Sequence, residues 1–326
     1  MRIVDNWQEA SHEIATLLSD PSPVFLSRIG GSDTNAVAKY LALKGRGTLS
    51  VGNPEILWHR GRAAEYNGFY DRRGDIQTFF RYCEELISCH KSSGHAFMCN
   101  SPLLSIYFPN AIHKAFFREQ IENRGELENL ISHITSEDAK TFYFYELVES
   151  LVLNPWTLFS LFSTILPGKR VLVISPFSAS IKRNFTNRNA FFKKYMYPDF
   201  ELCTINSPIT YAGLPAELYP HSDWFETLAS LRDEISKERF DIALLSCGSY
   251  AMPLGTYIAR SLYRKAIYVG GVLQLYFGVM GRRYEGIFFT DQLNSDQFIY
   301  PLEREKYIKH VNLSEEAATE AFGAYF

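Results

Sequence analysis

The spacing of apolar and polar positions changes several times along this chain, and each change marks an element. Phe25-Leu26-Ser27-Arg28-Ile29 is a short apolar run that meets Gly30-Gly31 and continues into Asn35 to Leu43, with Val37, Tyr40 and Leu41 apolar. That is the pattern of a buried strand, a glycine turn and a helix. The second half repeats the alternation clearly. Strands are predicted at Arg170 to Pro176, Phe200 to Ile205, Asp241 to Cys247 and Ala266 to Val269. Helices are predicted from Ser178, over Asp223 to Lys237, and over Pro253 to Tyr263. Short β-rich runs separated by helical periods predict an α/β fold, a Rossmann-like, mostly parallel sheet with helices on both faces. Right-handed crossovers then bring the ligand loops to the carboxyl ends of the strands.

The first half is less regular. It predicts an amphipathic helix within Met1 to Asp20 and strands near Val24 to Ile29, Thr48 to Val51 and His95 to Cys99. Helices are predicted around Thr78 to Ser88 and His113 to Arg124, and the apolar run Leu151 to Leu166 reads as a buried or interfacial helix interrupted by Asn154 and Pro155. Pro167-Gly168-Lys169 marks a turn between two lobes, about 1–166 and 167–326, of a single catalytic domain spanning 1–326.

Composition narrows the function classes. The 326 residues carry 33 Lys and Arg against 36 Asp and Glu, a net charge of −3, which argues against nucleic acid as the main partner. The N-terminus lacks a basic segment followed by an apolar one, so the chain reads as cytoplasmic. Five scattered cysteines, Cys83, Cys89, Cys99, Cys203 and Cys247, read as reduced thiols. Phe191-Phe192-Lys193-Lys194-Tyr195-Met196-Tyr197 has two readings: a contact with the inner face of a membrane near a lipid-linked acceptor, or a helix with core aromatics and snorkelling lysines.

The residues after each predicted strand carry unusual chemistry. Gly30, Gly31 and Ser32 open a helix whose free N–H groups suit an anion, and Arg28 and Asp33 bring opposite charges to the same mouth. Ser178 and Ser180 follow the strand at Val171; Gly248, Ser249 and Tyr250 follow Leu245; Gly270, Gly271, Gln274, Arg282 and Arg283 follow Val269. These are the candidate donor-binding residues, with Gly271 expected to need a left-handed or ligand-pressed backbone.

Taken together, Ser27-Arg28-Ile29-Gly30-Gly31-Ser32-Asp33, Tyr66-Asn67-Gly68-Phe69, Asn154-Pro155-Trp156, the segment Asp241 to Leu254 and Gly270 to Tyr284 resemble bacterial glycosyltransferases of the GT-D fold, including surface-polysaccharide cluster proteins. The resemblance covers most of the chain. It implies a nucleotide-sugar donor, a glycan or lipid-linked acceptor, and an Asp-x-Glu motif after the first strand that holds a divalent metal. Here that motif falls on Gly31-Ser32-Asp33, so the first carboxylate is missing and the second shortened, which implies that Mn or Mg binds weakly through Asp33 and together with the donor. The His-Pro-Phe-x-Glu-Ser loop of many relatives reads Ser175-Pro176-Phe177-Ser178-Ala179-Ser180 here.

The expected function is therefore transfer of a sugar from a nucleotide-diphosphate donor to a glycan or lipid-linked acceptor in surface polysaccharide synthesis, with no organic cofactor. An inverting reaction would need a carboxylate or His to take the acceptor proton, and Asp33, Glu65, Asp71 and Glu146 are the candidates among which the sequence does not choose. A non-catalytic sugar-nucleotide-binding protein is an alternative. So is a Rossmann-type dehydrogenase or methyltransferase, although no predicted strand runs into G-x-G-x-x-G.

Overall fold

The computed structural model describes residues 1–98, 124–135, 140–144, 156–285, 293–310 and 326. Eight strands make one sheet: β1 (Arg2–Val4), β2 (Phe25–Ile29), β3 (His95–Met98), β4 (Thr141–Phe144), β5 (Arg170–Ser175), β6 (Glu201–Asn206), β7 (Ile242–Leu245) and β8 (Lys265–Tyr268). Their order is β1-β4-β3-β2-β8-β7-β5-β6, and every pairing is parallel. The helices are α1 (Trp7–Ser19), α2 (Ser32–Gly45), α3 (Pro54–Tyr66), α4 (Ile76–Ser92), α5 (Arg124–Ile134), α6 (Trp156–Ile165), α7 (Ser178–Phe185), α8 (Trp224–Lys237), α9 (Ala251–Arg260), α10 (Leu273–Tyr276) and α11 (Arg304–Tyr307).

The period-2 geometry of a strand sends alternate side chains to opposite faces, and both faces here are apolar. Leu172 and Ile174 of β5 join Ala243 and Leu245 of β7 in a core shared with α2, α4, α8 and α9. Val171 and Val173 join Ile242, Leu244 and Ile267 in a second core shared with α1, α6 and α10. Helices therefore cover both faces, as the near-continuous apolar strands predict.

Two places in the strand order make a crevice. From β5 the chain goes outward to β6 and then back past β5 to β7 and β8. From β2 it runs the other way, through β3. Loops that diverge at neighbouring strand ends leave a gap above the sheet, the usual place for a ligand in this class of fold.

Two predicted elements differ. Thr48 to Val51 is not a strand: the Thr48 N–H bonds the Leu43 carbonyl at 3.0 Å, so the segment closes the end of α2, and Val51 is exposed with no strand beside it. The segment Phe191 to Tyr197 is irregular, not helical. Phe191, Phe192 and Tyr197 are buried, and the Tyr197 ring packs 4.7 Å from that of Tyr276, so the apolar side of this patch is spent on the core and Lys193, Lys194 and Met196 are left exposed. β1, α3 and β4 were not anticipated. The predicted helix at His113 to Arg124 lies outside the described residues apart from Arg124, which begins α5. Leu158, Phe159, Leu161 and Phe162 make α6 a buried helix. The turn at Pro167-Gly168-Lys169 lies between α6 and β5, within one continuous sheet.

Candidate functional site

The β2 strand delivers Arg28 to the crevice and the first turn of α2 delivers Asp33. Between them Gly31 is the N-cap of α2 and offers no side chain to the first-turn N–H groups. A helix start without a side-chain cap is of the kind that suits an anion. Arg28 and Asp33 line a cavity of about 220 Å³, far above the ~30 Å³ share of one water molecule, so a multi-atom ligand can enter. Among the described residues lining it, Arg28 is the one cation and Asp33 the one acidic side chain, and no histidine is present.

Arg28 is 5% exposed, and its guanidinium carbon lies 5.3 Å from the Tyr268 ring centre. The backbone of Gly270 closes the other side. A Cβ there would lie 1.8 Å from Arg28 Nη1, and the residue has φ of +81°, so the conformation favours glycine and any side chain would have to displace the guanidinium. Gly271 is different. Its φ is not in the left-handed region, so the left-handed backbone expected there belongs to Gly270.

Asp33 is held from the far side of α2. The Tyr82 hydroxyl, on α4, donates to Oδ1 at 2.8 Å, and the Asn67 side-chain amide donates to the same oxygen. Oδ2 has no hydrogen-bond partner among the described residues. Burial pushes the Asp33 pKa up to about 6, and the Tyr82 hydrogen bond and the Arg28 charge pull against that rise. A carboxyl tuned toward neutrality in a cavity is the usual form of a proton acceptor.

Asn67 is itself fixed by a backbone lock. Its carbonyl accepts the Ser249 N–H at 3.0 Å, and a Cβ at Gly248, with φ of +55°, would come within 2.8 Å of that oxygen. Tyr268 then donates its hydroxyl to the Gly248 carbonyl at 3.2 Å. So the loop after β7 serves the site chiefly by holding its neighbours. Thr210 donates to the Gly68 carbonyl at 2.6 Å and pairs with the Tyr250 hydroxyl at 3.1 Å, which brings the segment after β6 to the cavity.

The predicted site residues divide. Arg28, Gly30, Gly31, Asp33, Gly248, Tyr250, Gly270, Gly271 and Gln274 line the cavity. Gln274 is 1% exposed and its Oε1 has no hydrogen-bond partner among the described residues. Ser32 begins α2. Ser249 is buried as an acceptor for the Trp224 indole N–H at 2.8 Å. Ser178 donates to Asn206 at 3.2 Å. Ser180 donates to Glu303, whose other oxygen takes the Ala179 and Ser180 N–H groups, so the start of α7 is capped by a carboxylate of this chain. Arg282 lies in a short turn away from the cavity lining, and the same turn carries Arg283. Glu65 is exposed on α3, and Asp71 accepts the Arg73 N–H at 3.0 Å; neither lines the cavity. Glu146 lies outside the described residues.

Tyr82, Tyr268 and the segment Ser207 to Tyr211 are the site residues that sequence reading missed. The last follows a predicted strand, so the rule applied to the other strand ends would have found it; Tyr82 carries no such signal. As for metal, no group of three or more His, Cys, Asp or Glu side chains comes together among the described residues. Asp33 alone does not make the oxygen-rich site a hard cation needs.

No family model matches the chain, and no curated protein matches it. Among solved structures, the chain is similar to a selenomethionine-substituted domain of unknown function 1792 at 13% identity, covering 85% of this chain and 80% of that one with a TM-score of 0.47. A second structure of that domain, described as having a distinct glycosyltransferase fold, gives 13% identity over the same shares with a TM-score of 0.46. A third, described as a new glycosyltransferase from Streptococcus sanguinis, gives 12% identity, 85% of this chain, 83% of that one and a TM-score of 0.42.

Proposed function

We propose that this chain transfers a sugar from a nucleotide-diphosphate donor to a hydroxyl of a glycan or lipid-linked acceptor, in the setting of surface polysaccharide synthesis that its sequence motifs suggest. The observation that carries the reading is the pairing, in one cavity, of a buried guanidinium at a helix N-terminus with a carboxyl whose pKa is raised to about 6. Such a pair suits a reaction that builds negative charge at one end and releases a proton at the other.

In this reading the acceptor oxygen attacks the anomeric carbon as Asp33 Oδ2 takes its proton. The bond to the donor phosphate breaks, and the nucleoside diphosphate leaves with the electron pair. Arg28 and the first-turn N–H groups of α2 meet the charge that develops on it. Gln274, buried with an open acceptor, takes a donor hydroxyl. One carboxylate, with no second acidic side chain beside it among the described residues, supports direct displacement with inversion. The residues present do not fit a metal site of their own, and no step is assigned to one.

The test is turnover of nucleotide sugars, read as release of nucleoside diphosphate, by the wild-type protein and by Asp33→Asn. Turnover lost in Asp33→Asn while diphosphate binding persists supports the reading. Binding without turnover in the wild type would replace it with the non-catalytic alternative, and failure to bind any nucleoside diphosphate would remove both.

A further inference from the structure

We propose that Trp58, Arg62 and Tyr66 form a platform on which a saccharide acceptor lies, leading along α3 into the cavity. The proposal deepens the glycosyl-transfer reading and rests on it for the acceptor's role. The three residues are four apart, so they share one face of α3 and span roughly 12 Å from first to last. Trp58 is 60% exposed, on a helix whose opposite face buries Ile56, His59 and Ala63.

The stripe is held rigid. The Arg62 guanidinium lies 3.8 Å from the Tyr66 ring centre and 5.6 Å from that of Trp58. It also donates to the Tyr66 hydroxyl at 2.5 Å. On its other side the indole meets the His59 ring edge-on at 4.8 Å. An aromatic face fixed before binding costs little conformational entropy when a ligand settles on it.

Continuity with the cavity selects the occupant. Tyr66 lines the cavity beside Asn67, the residue that holds Asp33. The Ala212 N–H bonds the Ala64 carbonyl at 2.9 Å, which seats the segment Ser207 to Tyr211 against the same turn of α3. A chain molecule on the stripe therefore ends where the proton acceptor sits. A pyranose has a C–H face that an aromatic ring covers and a hydroxyl rim that a guanidinium serves, and the stripe alternates those two surfaces. An anionic membrane would call for a basic face. On α3 Arg60 and Arg62 are balanced by Glu55 and Glu65.

The experiment titrates the full chain with three soluble probes, cellotetraose, maltotetraose and the tetramer of N-acetylglucosamine, and reads binding by calorimetry. The expected result is saturable binding of at least one tetramer, weakened by roughly tenfold or more in Trp58→Ala, about 1.4 kcal/mol or more, and largely kept in Trp58→Tyr. Thermal melts of both variants report folding. No response to any tetramer, or an undiminished response in Trp58→Ala, overturns the platform. So does binding to phosphatidylglycerol vesicles in place of the saccharides. Calorimetry of the wild type with uridine and guanosine diphosphates tests the cavity separately. Its failure with the saccharide response intact removes the donor-site reading and leaves the platform standing.

Discussion

Tyr82 on α4 donates its phenolic hydrogen to Oδ1 of Asp33 on α2 across 2.8 Å, 49 residues apart in sequence. The tyrosine is fully buried, with the Trp224 ring edge-on at 4.9 Å. This bond stabilises the charged carboxylate against the burial that disfavours it.

Asp33 sets the expected pH dependence. As the proton acceptor it must be ionised, so turnover should rise with pH through about 6 and then level. Tyr82→Phe removes a contact that lowers the pKa, so the rising limb should move to higher pH. Stability runs the other way. The folded pKa of about 6 lies above the ordinary 3.8, so the native state holds the proton more tightly, and stability should fall as pH rises between those values. Asp33→Asn should therefore melt higher than wild type above pH 6. A turnover limb that does not move in Tyr82→Phe would remove Asp33 from the proton transfer.

Gly270→Ala should disable the site without touching a ligand directly. A Cβ 1.8 Å from Arg28 Nη1, on a backbone with φ of +81°, forces the guanidinium or the loop aside. Nucleoside diphosphate binding should fall roughly ten- to a hundredfold in Gly270→Ala and in Arg28→Gln, about 1.5–3 kcal/mol, as for loss of a charge-assisted contact. Gly271→Ala, where the backbone is not left-handed, should weaken binding less than Gly270→Ala. Calorimetric titration of the three variants separates them; normal binding by Arg28→Gln would take the phosphate away from Arg28.

Gln274→Leu should trade binding for stability. The buried Oε1 has no hydrogen-bond partner among the described residues, and an apolar side chain of similar shape avoids that desolvation, worth about 1–3 kcal/mol. The variant should melt at or above the wild-type temperature and bind the donor more weakly. A lower melting temperature with unchanged binding would mean that Gln274 serves the fold alone.

Lys140→Met should destabilise the chain without reaching the cavity. Lys140 is 3% exposed, and its ammonium donates to the carbonyls of His90 and Ser93 at the end of α4. A cation there satisfies helix-end carbonyls that water does not reach, and its removal should cost on the order of 1–3 kcal/mol. Denaturant titration gives the number; a melting curve like wild type would show that water replaces the ammonium.

Calorimetry with Mn should detect no tight site on the free wild-type protein, because one carboxylate supplies too few oxygens. Gly31→Asp with Asp33→Glu should create one. Gly31 has φ of −81° and open space at its Cβ, so a side chain fits there. Tight Mn binding by the wild type, kept in Asp33→Asn, would place a metal elsewhere.

The alternation of strands and helices after residue 169, and the pairing of Arg28 with Asp33 around a glycine turn, were legible in the sequence because both depend on neighbours in the chain. Period and turn chemistry are local, and a strand that runs into Gly30-Gly31 places its flanking charges at one sheet end whatever the rest does. What tertiary structure alone decided was the use of each strand-end residue. Ser180, read as a donor ligand, is taken by Glu303, 123 residues away. Glu65 and Asp71 are as acidic as Asp33 in sequence, but the packing of α4 and the turn at Asn67 against α2 gives only Asp33 two donors and a desolvated place in the cavity. Gly270 and Gly271 are indistinguishable as letters, and the backbone that the fold imposes, left-handed at Gly270 and not at Gly271, separates them. A side chain's protonation and contacts follow from whatever the fold brings within a few ångströms. That information is spread over distant segments, and no local pattern carries it.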